Sequence, residues 1–502
     1  MHAVNGTQRA RTHPTGPSPM LDVYIRATQT VEDELDTQLD PVEGQLPTGL
    51  RGLLYRNGPG RHEICGHRYG HPFDGDGMIL RLELSDTGIH YRNRYVRTRE
   101  LTEELRAGRP LYRSFGTNLP GGLARNALRL RFKNAANTGV IEFGGKLLAL
   151  WEGGLPHALD KDTLATLGRY DFQGRLRNTF SPLERMLNTE LPFSAHPRIC
   201  PETGVLYNFG TANGFKPRLM LYQVQPDGRM AAPGHITLKA LSFVHDFVLT
   251  PNYLVFFLPS VVFDVPRALS GLATPVDTLH GSGKPTRVIA VSRDDFRVVG
   301  SWLTEPGFIF HFSNGFQAGD DIVVDGLRLE DLPSAAQVRE IIEGRASMYP
   351  QPALVRTTLR LGMQQADSEV LFATAGDLPT IDPRQHTRDY RFLWTAAAPS
   401  ERNDPFQTQI LCLDLLGRTE QRRDFGQDIV GEPLFVPDPH NRQEGAGWIL
   451  MLAYSAALHR SEFYVLDATS LATLARYRLP HHVPPGFHGS FVPVVPAAAP
   501  AS

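Results

Sequence analysis

The chain has 502 residues, with Lys+Arg 51 against Asp+Glu 53 and a formal net charge of −2; no block of like charge supplies the basic face that a nucleic-acid partner requires. The 46 glycines and 39 prolines are turn-forming residues and point to many short strands. Three widely spaced cysteines, Cys65, Cys200 and Cys412, without a CxxC pair, argue against a disulfide framework or a thiolate zinc site and fit a reducing, cytoplasmic compartment.

Residues 1–30 are expected to be disordered. Met1 to Met20 is rich in Pro, Thr, Arg and Gly, has no apolar core and is no secretory signal. From about Leu46 strand-like runs alternate with turns. Gly52 to Arg56 leads into Asn57-Gly58-Pro59-Gly60, read as a turn. Met78 to Leu84 and Ile89 to Val96 flank Ser85-Asp86-Thr87-Gly88, and Val140 to Phe143 and Lys146 to Trp151 flank Gly144-Gly145. Both are hairpin signals. Arg198 to Cys200 pairs in the same way with Val205 to Phe209, and Trp448 to Leu479 supplies another antiparallel set. The most apolar run, Tyr253 to Phe263, is broken by Pro259 and is too short to span a bilayer. A helix is predicted over Ser334 to Glu343, capped by Ser334 and stopped by Gly344. With no βαβ alternation, a parallel α/β sheet is disfavoured. Antiparallel units without a linker over residues 31–502 predict a single all-β domain, a β-propeller.

One stretch organises the chemistry. In Ser242 to Thr250, Phe243, His245 and Phe247 occupy i, i+2 and i+4, the same face of a strand. An imidazole between two apolar rings either bonds a backbone carbonyl or binds a metal. His196, His311 and His488 have similar settings, with successive separations of 49, 66 and 177 residues. These are not local metal spacings, but they are what separate blades would give if each sent one side chain to a common axis.

Seven motifs then occur in order: Arg56-Asn-Gly-Pro59, Phe73-Asp-Gly-Asp-Gly-Met78, Ala195-His-Pro-Arg198, Val244-His-Asp-Phe247, Phe310-His-Phe-Ser-Asn314, Gly431-Glu-Pro-Leu-Phe-Val-Pro437 and Gly486-Phe-His-Gly489. Together they resemble the carotenoid cleavage oxygenases over nearly the whole chain. The resemblance implies a seven-bladed propeller, with a loop and helix cap over an axial non-haem Fe(2+) held by His196, His245, His311 and His488. It further implies three carboxylates behind the histidines, at Glu152, Asp377 and Glu432, and a threonine, Thr138, near an open iron position. Imidazole suits Fe(II), and an outer partner fixes each ring's orientation. Asp377 departs from the family's glutamate. Being a methylene shorter, it is expected to need a shifted backbone or a water bridge, or to hold its histidine less tightly.

The resemblance also narrows the substrate. Stilbene-cleaving members have lysine where this chain has Trp151, and Trp151 to Asp160 resembles the bacterial apocarotenoid-cleaving members. The expected reaction is therefore O2-dependent scission of a C=C bond in an apolar polyene, giving retinal-type aldehydes, with Trp151, Phe243, Phe247 and Phe310 on the substrate. Stilbene cleavage, an isomerase-hydrolase and a non-catalytic binding propeller are the alternatives. Because polyenes reside in membranes, peripheral contact is expected through Leu119, Leu123, Leu128 and Leu130, interleaved with Arg125, Arg129 and Arg131. A solvated cap over the propeller is the competing reading of that segment. No oligomeric interface is legible.

Overall fold

In the computed structural model, residues 20–129, 131–187, 190–212, 216–240, 242–332, 351–400 and 405–494 are described. Short β-branched and aromatic runs pair antiparallel through tight turns. Gly144 and Gly145, with φ of 57° and 73°, join Gly139–Phe143 to Lys146–Leu150, the two positive φ values that a two-residue hairpin of right-handed twist requires.

Repetition of this unit builds seven sheets around an axis. The second blade runs from Gly139–Phe143 on the inside to Thr166–Arg169 outside, and the third from Arg198–Ile199 to Gly234–Thr237. The fourth runs from Val248–Leu249 to Val298–Thr304, the fifth from Phe308–Ala318 to Asp367–Phe372, and the sixth from Asp377–Ile381 to Thr419–Asp424. The first and seventh blades close the ring with strands from both ends of the chain. Gly489–Pro493 pairs with Gly52–Arg61 on the inside of the first blade, and Asp40–Gly44 completes the outside of the seventh against Thr473–Arg478. Between blades the core is apolar and aromatic. Trp394 of the sixth blade, fully buried, stacks on Phe435 of the seventh at 4.5 Å and donates its indole N–H to Ala468 O at 2.6 Å.

Several expectations change. Asn57-Gly58-Pro59-Gly60 is not a turn but the continuation of Gly52–Arg61. Gly58 is there for close approach, since a Cβ on it would lie 2.5 Å from Gly486 Cα. Asn57 is there to donate from Nδ2 to the carbonyls of Ala136 and Gly139. Structure also begins before residue 31. Met20–Ala27 is a helix that buries Met20 and Val23 against Phe406, Ile429 and Tyr454. Arg99–Ala107 is a helix the sequence reading passed over, although Thr98 caps it by accepting from Leu101 N–H and Gly108, at φ 63°, ends it. The helix predicted over Ser334 to Glu343 lies outside the described residues. Among the described residues no helix is long and apolar enough to cross a membrane.

Candidate metal centre and active site

The innermost strands all present the same end to one mouth of the axis. Residues at or just before their first positions are Thr138, His196, His245, Asp377, Glu432 and His488, while His311 lies four residues into Phe308–Ala318. The blade geometry thus gathers residues that are hundreds of positions apart. The ligand atoms of His196, His245, His311 and His488 all lie within 4.8 Å of one another. His196 Nε2 is 2.9 Å from His245 Nε2, and His311 Nε2 is 3.2 Å from His488 Nε2. Two neighbouring nitrogens each about 2.1 Å from a shared ion sit about 3 Å apart, so the donor set fits a divalent metal.

Carboxylates stand behind three of the rings. Asp377 Oδ1 is 2.7 Å from His311 Nδ1, Glu432 Oε1 is 2.8 Å from His488 Nδ1, and Glu152 Oε1 is 3.4 Å from His245 Nδ1. Such partners orient a metal-binding imidazole and fix its tautomer. Among the described residues Glu152 Oε1 is buried without a hydrogen bond, a gap that a Nδ1–H held toward it would fill. Glu432 is itself held, accepting from Arg56 Nη1 at 2.6 Å and Gly489 N–H at 2.9 Å.

Burial, reinforced by repulsion from the other histidines, pushes His196 and His245 well below the ordinary histidine value. They are therefore neutral, the form that binds metal. Burial acts the same way on His311, but the Asp377 carboxylate outweighs it and raises that histidine. Asp377 is correspondingly lowered by His311 against the effect of burial, and Glu432 is lowered against burial by Arg56 and His488. Burial and the nearby Asp246 charge push Glu152 well up.

The looser hold expected of Asp377 is not found. Asp377 reaches His311 directly, with Gly376 and Leu378 at φ of 70° and 56° and the pairing irregular between Asp377 and Thr380. Thr138 stands beside the fourth histidine, its carbonyl accepting from His488 N–H at 3.1 Å. Trp151 is half-buried next to Glu152, its ring against Gly153 and Gly154.

Phe243 and Phe310 belong to a line of rings leading to the histidines. Phe310 meets His245 edge-on at 5.3 Å and Phe308 at 4.6 Å; Phe243 stacks on Phe308 at 5.7 Å and on Phe115 at 6.4 Å; Phe115 faces the exposed Phe73, which meets Phe487 at 5.4 Å. Phe247 is a correction. Residues 242–247 are not a regular strand, so the alternation fails there, and Phe247 is buried in the blade core against Phe209 and Phe256. Phe73, Phe115, Phe308 and Phe487 were not read as site residues; three of them lie inside or beside the histidine and Phe73–Met78 motifs, whereas Phe115 carries no local signal.

The basic apolar segment is mostly irregular, with only Leu123–Asn126 helical. Leu119 is 6 % exposed and belongs to the interior, because Asn126 bonds both its N–H and its carbonyl. Leu123 and Leu128 are 50 % and 78 % exposed, and Leu272, 69 % exposed, follows the helix Val265–Ser270 packed beside them. Leu130 lies outside the described residues.

The family described as retinal pigment epithelial membrane protein matches residues 28–493. The chain belongs to this family, the carotenoid cleavage oxygenases. The oxygenase is 34 % identical over 481 residues to the apocarotenoid-15,15'-oxygenase of Synechocystis sp., covering 93 % of this chain and 96 % of that one. It is 28 % identical over 486 residues to resveratrol cleavage oxygenase 1 of Aspergillus fumigatus, covering 90 % and 91 %. Among solved structures, the cobalt-substituted Synechocystis apocarotenoid oxygenase superimposes with a TM-score of 0.86 at 32 % identity, over 94 % of this chain and 99 % of that one. The chain is thus a non-haem iron-dependent oxygenase of the carotenoid and apocarotenoid cleavage family, and its four-histidine cluster fits the metal site such an enzyme requires.

Proposed function

We propose that this oxygenase cleaves one C=C bond of an apocarotenoid with O2 to give retinal-type aldehydes, with Fe(2+) held by His196, His245, His311 and His488. The observation that carries the reading is the line of phenylalanines, Phe73, Phe115, Phe243, Phe308 and Phe310, running from the surface to the His245 ring. Such a path offers apolar and quadrupolar contact to a rigid polyene and nothing for an ionised group. Trp151, beside Glu152, extends the apolar wall and carries no ammonium for a phenolate. The similarity to an apocarotenoid oxygenase is higher than that to a resveratrol-cleaving one.

Ferrous iron supplies the O2 activation when bound. The chain's own residues would hold the metal through four imidazoles, fix those rings through Asp377, Glu432 and Glu152, seat the polyene and exclude water. Adding O2 across C=C and parting the two carbons places one oxygen atom in each carbonyl product, so no protein acid or base is needed for the balance. Thr138, whose backbone accepts from His488 N–H, would limit access to a metal held by the four histidines. Substrate arrives from a bilayer: Leu123, Leu128 and Leu272, with exposed Arg125 and Arg129 nearby, form the face that meets the lipid surface.

The test is aerobic incubation of iron-loaded protein with an apocarotenal and, separately, a hydroxystilbene, with products identified by mass. Retinal-type aldehyde from the first at a much higher kcat/KM is the expected result. A hydroxystilbene preferred by about tenfold, about 1.4 kcal/mol in transition-state binding, would overturn the substrate assignment and leave the iron site standing.

A further inference from the structure

The residues that follow three of the four histidines bond to one another. Arg198, two positions after His196, donates from Nη2 to Asp246 Oδ2 at 2.6 Å and to the Phe312 carbonyl at 3.3 Å. Asp246, next to His245, also accepts the Phe312 N–H at Oδ2 (3.0 Å) and the Phe247 N–H at Oδ1 (2.7 Å). Phe312 follows His311. Arg198, Asp246 and the Phe312 backbone therefore close a triangle of hydrogen bonds that joins the third, fourth and fifth blades.

Two features separate this triangle from ordinary packing. Asp246 is only 2 % exposed, and a buried charge gives a blade junction no more stability than a well-packed apolar side chain would. The strand Phe308–Ala318 also loses register on both sides of Phe312, and the side chains of Asp246 and Arg198 take up its N–H and carbonyl there. Each corner lies one or two residues from a histidine, so a shift at a corner passes along a few covalent bonds to the imidazole. Metal distances tolerate only about 0.2 Å.

We propose that Arg198 and Asp246 are positioning residues, a clasp that sets the mutual spacing of His196, His245 and His311 and so tunes the affinity and ligand field of the metal they hold. His488 has its own support in Glu432, Arg56 and Gly489. The inference rests on the four histidines being the metal ligands.

The experiment titrates the full-length metal-free protein with Co(II) against a competing chelator and records the visible cobalt bands, with apoprotein melting as a control. Asp246→Asn and Arg198→Met should weaken Co(II) binding about 10- to 100-fold, as loss of outer-sphere support does, and should shift the cobalt bands. Arg198→Lys, which keeps the charge and one donor, should recover most of the affinity. A pair that serves stability alone would lower the melting temperature yet leave affinity and bands of the folded protein within twofold of the parent, and that result overturns the clasp. If Asp246→Asn does not fold, the two variants at Arg198, which is partly exposed, decide the matter by the same readouts. Parent protein whose Co(II) binding is absent, or unaffected by His245→Ala, would instead overturn the metal-site reading.

Discussion

Replacing Asp377 by Asn separates charge from shape at the His311 support. The side chains are isosteric, and the amide oxygen can still accept from His311 Nδ1–H at the 2.7 Å contact and from Leu378 N–H at 2.9 Å. What disappears is the charge assistance. A hydrogen bond to a charged group is worth about 1.5–3 kcal/mol, roughly twice a neutral one, so about 1–1.5 kcal/mol is lost. At about 1.4 kcal/mol per decade this predicts about tenfold weaker metal binding. Glu152→Gln disturbs a 3.4 Å contact and should cost less. Fe(II) or Co(II) titration against a chelator at neutral pH measures both, with apoprotein melting to exclude unfolding. The reasoning fails if Asp377→Asn binds within twofold of the parent, or if Glu152→Gln is the more damaging substitution.

Melting of the metal-free protein should fall as pH drops through about 6.5, because the depressed His196 and His245 take up protons more readily in the unfolded chain. His311 has the opposite sign: its raised value adds stability below the ordinary histidine range that is lost as pH rises through the raised one, so Asp377→Asn should steepen the acid loss. Trp151→Lys should lower kcat/KM for an apocarotenal without changing iron content, since it sets an ammonium against the polyene; unchanged turnover would remove Trp151 from the substrate path. The double substitution Leu123→Glu with Leu128→Glu should abolish sedimentation with anionic liposomes while leaving turnover of detergent-dispersed substrate intact. Trp394→Ala should destabilise the fold by about 3–5 kcal/mol, read by denaturant unfolding, with metal affinity unaltered.

The histidine tetrad was legible in the sequence because each member sits in a motif that resembles the family's. The residue pattern alone favours a core histidine. Side-chain direction was harder to read. Phe247 was assigned to the His245 face by strand alternation, but Asp246 accepts the Phe247 N–H, and irregular backbone there turns the ring into the blade. Asn57-Gly58-Pro59-Gly60 has turn composition for a different reason: Gly58 lets two segments of backbone touch, which depends on Gly486 hundreds of residues away. Leu119 fits a lipid-facing stripe by its spacing, but Asn126 holds its backbone inside. Asp377 shows the reverse case. The missing methylene is visible in the sequence, but the positive φ at Gly376 and Leu378 beside it is not.

The ring's closure also dictates an order of events. Gly489–Pro493, which zips onto Gly52–Arg61, begins at the residue after His488, so the last inner strand to be made carries the last histidine of the cluster with it. Before that strand docks, a partly formed propeller offers at most three imidazoles. Pairing across so long a loop is slow compared with local hairpin formation. Completion of the four-histidine cluster therefore comes late, once the ring itself closes.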